Sequence, residues 1–228
     1  MNKQVTIVAV DGPSASGKST VSRRTAQAVG FIYVDSGALY RGVTWKCVKE
    51  GLDVKDAQAV TNLLIRMNME LRLQDNAVVY RIDGEDPGQE IRAEPVRERV
   101  ADIAAQQVVR VYIVEKLRLM TKFGNLVMEG RDIGTVVFPD TPFKYYLDAD
   151  PEERARRRAA EIKQQEGTHD VDAVLNSLRR RDQKDSSRAT APLQIALGAK
   201  IINSTGMTVE QVVDTIVADL KKAGAVPA

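Results

Sequence analysis

Two kinds of residue pattern in this chain have the types and spacing to handle phosphate. The first is the stretch GPSASGKS, Gly12 to Ser19, which fits G-x-x-x-x-G-K-[ST] at every fixed position. A β-branched apolar run ending at Val10 precedes it and a helical stretch from about Lys18 to Ala28 follows, the setting in which such a loop works. Its glycines let backbone N–H groups close around phosphate oxygens, and the helix N-terminus adds partial positive charge. On that pattern Gly12, Pro13, Ser14, Ala15, Ser16 and Gly17 wrap the phosphates of a nucleoside triphosphate, and Lys18 reaches the β and γ positions. The Ser19 hydroxyl ligates Mg²⁺. The loop identifies a phosphoryl donor and is silent on the acceptor.

The second pattern is arginine paired with aspartate at the ends of elements. In YVDSGALYRG, Asp35 and Ser36 close a strand-like run, Ser36 is placed to cap the following helix, and Arg41 lies just over one turn along. In NLVMEGRDIGTVVFPD, the apolar run Leu126 to Met128 turns abruptly into Glu129, Arg131 and Asp132. Ligands of open α/β sheets gather at the carboxyl ends of strands, which is where these charges fall. Further on, Arg181, Asp185 and Arg188 stand at i, i+4 and i+7, and Arg154, Arg157 and Arg158 share a helical face. An exposed ion-pair ladder has the same spacing, so spacing alone leaves a binding face and a solvated face both open.

What is missing narrows the acceptor. His169 is the only histidine, which excludes multi-His metal sites, and its polar loop reads as a solvated position rather than a catalytic one. There is no Asn-Lys-x-Asp tetrapeptide of the guanine-reading kind and no ATP-binding-cassette signature, so a second substrate is favoured over water as acceptor. A phosphate monoester has its second pKa near ~6 and is already ionised at neutral pH, so it needs no general base. Transfer to it asks for in-line positioning, metal and arginines, and this chain is rich in arginines and poor in bases.

The remaining composition bounds the setting. The chain has 228 residues, 33 basic against 31 acidic, and a net charge of +2, which gives no nucleic-acid footprint. No apolar run approaches the roughly 18 residues of a membrane span, and the N-terminus reads as a first strand rather than a signal peptide. The single cysteine, Cys47, reads as a small apolar core residue in a reducing, cytoplasmic compartment.

Positioning these groups calls for alternating strands and helices, hence a parallel sheet wrapped by helices. Between Met67 and Ile91 the rhythm breaks: Met67, Met69, Leu71 and Leu73 alternate with polar residues, NAVVYRID follows, and DGEDPG supplies turn chemistry. This predicts a small antiparallel insertion. One long helix is predicted from about Glu94 to Lys122, then strands at FKYYLDA and AKIINST, with helices between and after them.

Five blocks, DGPSASGKST, YVDSGALYRG, EIR at 90 to 92, EGRDIGTVVFPD and RRDQKDSSRATAPL, occur in the order and spacing of bacterial cytidylate (CMP) kinases, which the chain resembles over nearly its whole length. The resemblance implies an α/β nucleoside monophosphate kinase: a three-layer core with a parallel sheet, a monophosphate-binding lobe over about residues 40 to 110 that contains the insertion, and a helical lid over about 152 to 188. It implies transfer from ATP, with Mg²⁺, to CMP or dCMP, by a cytoplasmic monomer. ATP would lie along Gly12 to Thr20; Ser36, Arg41 and Arg131 would hold the CMP phosphate; Arg110, Asp132 and Arg188 would read cytosine; Arg181 and Asp185 would address the ribose; Arg157 and Arg158 would close over ATP. UMP remains an alternative acceptor, and a nucleotide-hydrolysing switch the alternative from another class. Three residues depart from the family pattern: Ala101 where a base-contacting serine is usual, and Gly198 and Asn203 where aspartates are typical.

Overall fold

The computed structural model describes residues 5–166, 171–188 and 190–227; His169 lies outside them. Among the described residues seven strands form one sheet: β1 (Ile7–Asp11), β2 (Ile32–Asp35), β3 (Met69–Gln74), β4 (Ala77–Ile82), β5 (Leu126–Gly130), β6 (Phe143–Asp148) and β7 (Lys200–Asn203). Their order is β3-β4-β2-β5-β1-β6-β7, with every pairing parallel except the β3–β4 hairpin. The helices are α1 (Lys18–Val29), α2 (Ser36–Lys49), α3 (Ala57–Arg66), α4 (Glu94–Ala105), α5 (Gln107–Leu119), α6 (Pro151–Glu166), α7 (Val171–Ser187) and α8 (Val209–Lys222).

The central strands are apolar at every position because both faces are covered. Ile7 and Ala9 of β1, with Ile32, Val34, Leu126 and Met128, join a cluster built with α2 to α5. Val8 and Val10, with Tyr33 and Val127, join the opposite cluster with α1 and α8. That sandwich of helix, sheet and helix is the predicted fold class, and Cys47 sits buried in the first cluster as expected.

One expectation about elements is corrected. The predicted helix over 94 to 122 is two helices: Gln106 takes an extended conformation (φ −79°, ψ 126°) and spends its side-chain amide on the Val54 carbonyl at 2.6 Å. The break turns α5 so that Arg110, buried, faces the carboxyl ends of β2 and β5 rather than solvent. The antiparallel insertion is present as β3–β4, but it extends the main sheet: β4 meets β2 at Tyr33 and Ala77, and the Tyr33 N–H donates to the Asn76 carbonyl at 3.0 Å.

Candidate active site

The phosphate loop joins β1 to α1. Gly12, at φ +150°, passes so close to β6 that a Cβ there would lie 2.1 Å from the Leu147 carbonyl oxygen, so no other residue fits. Gly17 closes the loop in a left-handed conformation (φ 89°) and leads into the first turn of α1. Lys18 is buried and folds back on the loop, donating to the Pro13 carbonyl at 2.5 Å and to Ser16 Oγ at 3.3 Å. Burial, then the Arg131 guanidinium, lower its pKa to about 7.

The residues expected on the acceptor side converge on the same space. A cleft of about 320 Å³ is lined by Lys18, Ser19 and Thr20 together with Ser36, Arg41, Arg110, Arg131 and Asp132. From α7 come Arg181 and Asp185, from just past its end Arg188, and from α6 Arg158. Gly12, Pro13 and Ser16 form the back of the loop and do not line it, and Arg157 is turned away. Arg157 instead donates to Ser204 Oγ (3.1 Å) and Ser204 O (2.9 Å), and it lines a second depression with Gly17, Thr20 and Thr208.

Side-chain pairs hold the acceptor residues. Asp35, not the predicted Ser36, caps α2: its carboxylate accepts from the Ala38 N–H at 3.0 Å and pairs with Arg41 at 2.7 Å. Ser36 is already helical and its hydroxyl donates to the Glu129 carbonyl at 2.6 Å, tying α2 to the end of β5. Gly130 permits that approach, since a Cβ there would sit 2.7 Å from Ser36 Oγ. Arg131 and Asp132 then diverge: Arg131 Nε donates to Asp185 at 2.9 Å, whereas Asp132 pairs with Arg110. Both members of the Arg110–Asp132 pair are almost wholly buried, an arrangement whose desolvation cost offsets much of its Coulombic gain and so argues for a role beyond stability. Arg110 Nε, Arg41 Nε and Arg188 Nη2 are buried and find no acceptor among the described residues, so the cleft has donors to spare for an anionic, acceptor-rich ligand.

Four residues that sequence reasoning did not assign complete the site. Asp11, at the end of β1, accepts the Ile133 N–H on one carboxylate oxygen (2.8 Å) and the Gly134 N–H on the other (2.7 Å). It thereby anchors the π-helical turn Ile133–Val137 directly after Asp132, and burial raises its pKa to about 6. Arg92 and Arg97 also line the cleft. Tyr40 lies under the Arg110 guanidinium, 5.6 Å from ring centroid to Cζ. Arg92 belongs to the EIR block, so only its role was unread; Asp11 carried no signal beyond standing before Gly12. Glu129, left open by the sequence, is buried, accepts from the Tyr33 hydroxyl at 2.5 Å and from Ser19, and burial holds its pKa above the usual carboxylate range. The departures fall at separate places: Ala101 lines the cleft, Gly198 is at φ +77° with open space around it, and Asn203 accepts from the Thr205 N–H at 3.0 Å.

Comparison with known proteins decides the family. The model of the cytidylate kinase family matches residues 8–222. This chain belongs to the cytidylate kinase family. It is 39% identical to the cytidylate kinase of Nitrosomonas eutropha, covering 99% of each chain. It is 42% identical to that of Pelotomaculum thermopropionicum, covering 92% of this chain and 94% of the relative. In fold it is similar to a solved structure of an uncharacterized protein from Eubacterium ventriosum (TM-score 0.53, 12% identity, 95% of this chain and 98% of that one). The family assignment makes this an α/β phosphotransferase with a nucleotide-binding phosphate loop. No helix among the described residues is long and apolar enough to cross a membrane.

Proposed function

We propose that this protein transfers the γ-phosphoryl group of ATP to CMP or dCMP, giving ADP and CDP or dCDP. One observation carries the reading: the donor loop and a buried Arg–Asp pair suited to a cytosine edge share one cleft with several further arginines. In this reading the lobe over residues 40 to 110 holds the monophosphate, and residues 152 to 188 form the lid. That it works as a cytoplasmic monomer, with no nucleic-acid or membrane partner, rests on the family resemblance and the composition.

Cytosine presents an N4 amino donor beside an N3 acceptor. Asp132 accepts from the first and a guanidinium of Arg110 or Arg188 donates to the second. Uracil reverses both polarities and would set each group against its own kind, a mismatch that polar sites penalise heavily. Arg181 and Asp185 line the same cleft and address the ribose in this reading. Ser36, Arg41 and Arg131 hold the acceptor phosphate so that its oxygen meets the γ-phosphorus in line. That phosphate is dianionic at neutral pH and attacks without losing a proton, which accounts for a cleft without histidine. Lys18 and Arg158 face the transferring group and offset the charge on its equatorial oxygens. Arg157, toward the second depression, covers the nucleoside end of ATP.

Mg²⁺ fits the oxygen donors present. It is ordinarily held by one or two protein oxygens plus the substrate phosphates, and the Ser19 hydroxyl with the Glu129 carboxylate beside it supply them. When bound it would neutralise charge on the β and γ oxygens.

The test is ADP release from Mg-ATP against a panel of CMP, dCMP, UMP, AMP, GMP and shikimate. CMP and dCMP should be preferred. Equal rates across the panel would remove the specificity claim, and full release without an acceptor would indicate a hydrolase.

A further inference from the structure

The helix pair α6–α7 has little apolar material to seat it. Among the described residues, its buried cluster is only Ala155, Val174 and Leu178, with Ala159, Ile162, Leu175 and Ala15 of the phosphate loop partly buried against them. Polar contacts concentrate on the neighbouring loop residue, Ser14. Arg154, from α6, donates through Nη1 to the Ser14 carbonyl at 3.1 Å and to Asp182 Oδ2 at 2.5 Å. Its Nε donates to the Ala149 carbonyl at 3.1 Å. Asp182, from α7, accepts the Ser14 N–H on its other oxygen at 3.3 Å. Both backbone groups of one donor-loop residue are therefore gripped, one by each helix.

An exposed ion pair would carry little energy or information. This one is different: the Arg154 side chain is only 8% exposed, and its pair bridges three segments. Asp182 also stands between functional neighbours on α7. Arg181 precedes it and Asp185 follows by one turn, and both face the acceptor cleft, with Asp185 paired to Arg131. Neither Arg154 nor Asp182 lines that cleft. A rearrangement of residues 14 and 15 around a triphosphate would be transmitted to α7 through this grip, and α7 carries the acceptor-facing Arg181 and Asp185.

We propose that Arg154 and Asp182 are positioning residues that couple the donor loop to the acceptor site, so that a triphosphate on the loop raises affinity for the acceptor. The inference rests on CMP as the acceptor. Coupling between sites is a measurable and reciprocal quantity, commonly about 5- to 150-fold in affinity.

The experiment titrates CMP calorimetrically into the full chain, alone and saturated with Mg²⁺ and the non-transferring analogue adenylyl imidodiphosphate. The ratio of the two affinities is the readout, which a merely structural role would leave in place. Wild type should give a ratio of at least about 5. Asp182→Asn should bring it below about 2 while changing CMP affinity of the analogue-free protein less than about 3-fold. Asp182→Glu, which keeps the carboxylate, should retain a ratio between the two, and it stands in if the Asn variant does not fold by circular dichroism. A wild-type ratio of 1, or a ratio unchanged in both variants, overturns the proposal. If wild type binds no CMP, the functional reading fails instead, and the same ratio is then read with whichever monophosphate of the panel binds.

Discussion

The two halves of the cleft are built by different means. The donor half is one continuous loop whose shape is set by backbone: Gly12 passing under the Leu147 carbonyl, Gly17 in a left-handed conformation, and a helix N-terminus behind them. The acceptor half is assembled from α2, α5, α7 and the end of β5, and it is held by side-chain pairs, Asp35–Arg41, Arg110–Asp132 and Arg131–Asp185. A backbone site recognises what all nucleoside triphosphates share; a side-chain site can discriminate. Substitutions in the acceptor half should therefore spare donor recognition, and should change the choice of acceptor wherever a pair is broken.

The largest effect is expected at Lys18, the donor-loop side chain proposed to reach the transferring group. Lys18→Ala should lower kcat by about 10³-fold, the scale of losing a charged donor to transition-state oxygens. CMP affinity of the free protein should change only a few-fold, because the acceptor pairs are untouched. Parallel losses in kcat and CMP affinity would mean that the two halves are not separable in this way.

Asp132→Ala strikes the other half. It removes the acceptor for the cytosine amino group and leaves Arg110 buried without its counter-charge, a change worth about 3 kcal/mol, or about 10²-fold in kcat/KM for CMP. The preference for CMP over UMP should collapse with it, while the KM for ATP stays within about 3-fold. A loss shared equally by ATP and CMP would indicate a folding defect, which a thermal melt would show.

This contrast also explains what could be read from sequence. The loop was legible because its parts are consecutive and its geometry demands particular residues at fixed spacing. The core was legible for a similar reason, since the unbroken apolar runs of β1 and β5 follow from burial on both faces. The acceptor residues were found at their element ends, but as isolated arginines they could not be told from solvated ladders; the family resemblance, not the spacing, supplied their roles. The pairings depend on tertiary position and left no local trace. Ser36 and Asp35 are equally good capping residues on paper, and the choice falls to Asp35 because Ser36 is drawn to the Glu129 carbonyl across the sheet. The break at Gln106 depended on a carbonyl over fifty residues away, at Val54, which no helical period announces. Asp11 reads as the end of an ordinary strand until the turn after Asp132 is seen to hang from it.

The Lys18 ammonium offers a finer test of the donor half. Burial and Arg131 lower its pKa to about 7, so in the free protein near pH 7.5 a substantial fraction is neutral. Donor phosphates favour the charged form and raise the pKa, so binding should take up a fraction of a proton. Calorimetric titration of Mg-ATP at pH 7.5 in Tris and in HEPES should give enthalpies that differ in the sense of uptake. Lys18→Met should remove the difference. Equal enthalpies for wild type in the two buffers would mean that the lysine is already charged before the phosphates arrive.

The smallest expected effect tests how finely the acceptor half is tuned. Ala101 lies on α4 at the wall of the cleft, half-buried, within the stretch that the break at Gln106 sets against Arg110. A methyl group there offers the base no hydrogen bond, whereas a serine would add a hydroxyl able to donate or accept without adding much volume. One such bond is worth about 1 kcal/mol net, so Ala101→Ser should lower the KM for CMP by about 5-fold and leave ATP unaffected. The change should be smaller for UMP, because the base is aligned by Asp132 and Arg110 before the hydroxyl can act. A gain shared equally by CMP and UMP would place the hydroxyl on the ribose or phosphate. No gain for either would mean that the existing pairs already fix the base as well as this cleft allows.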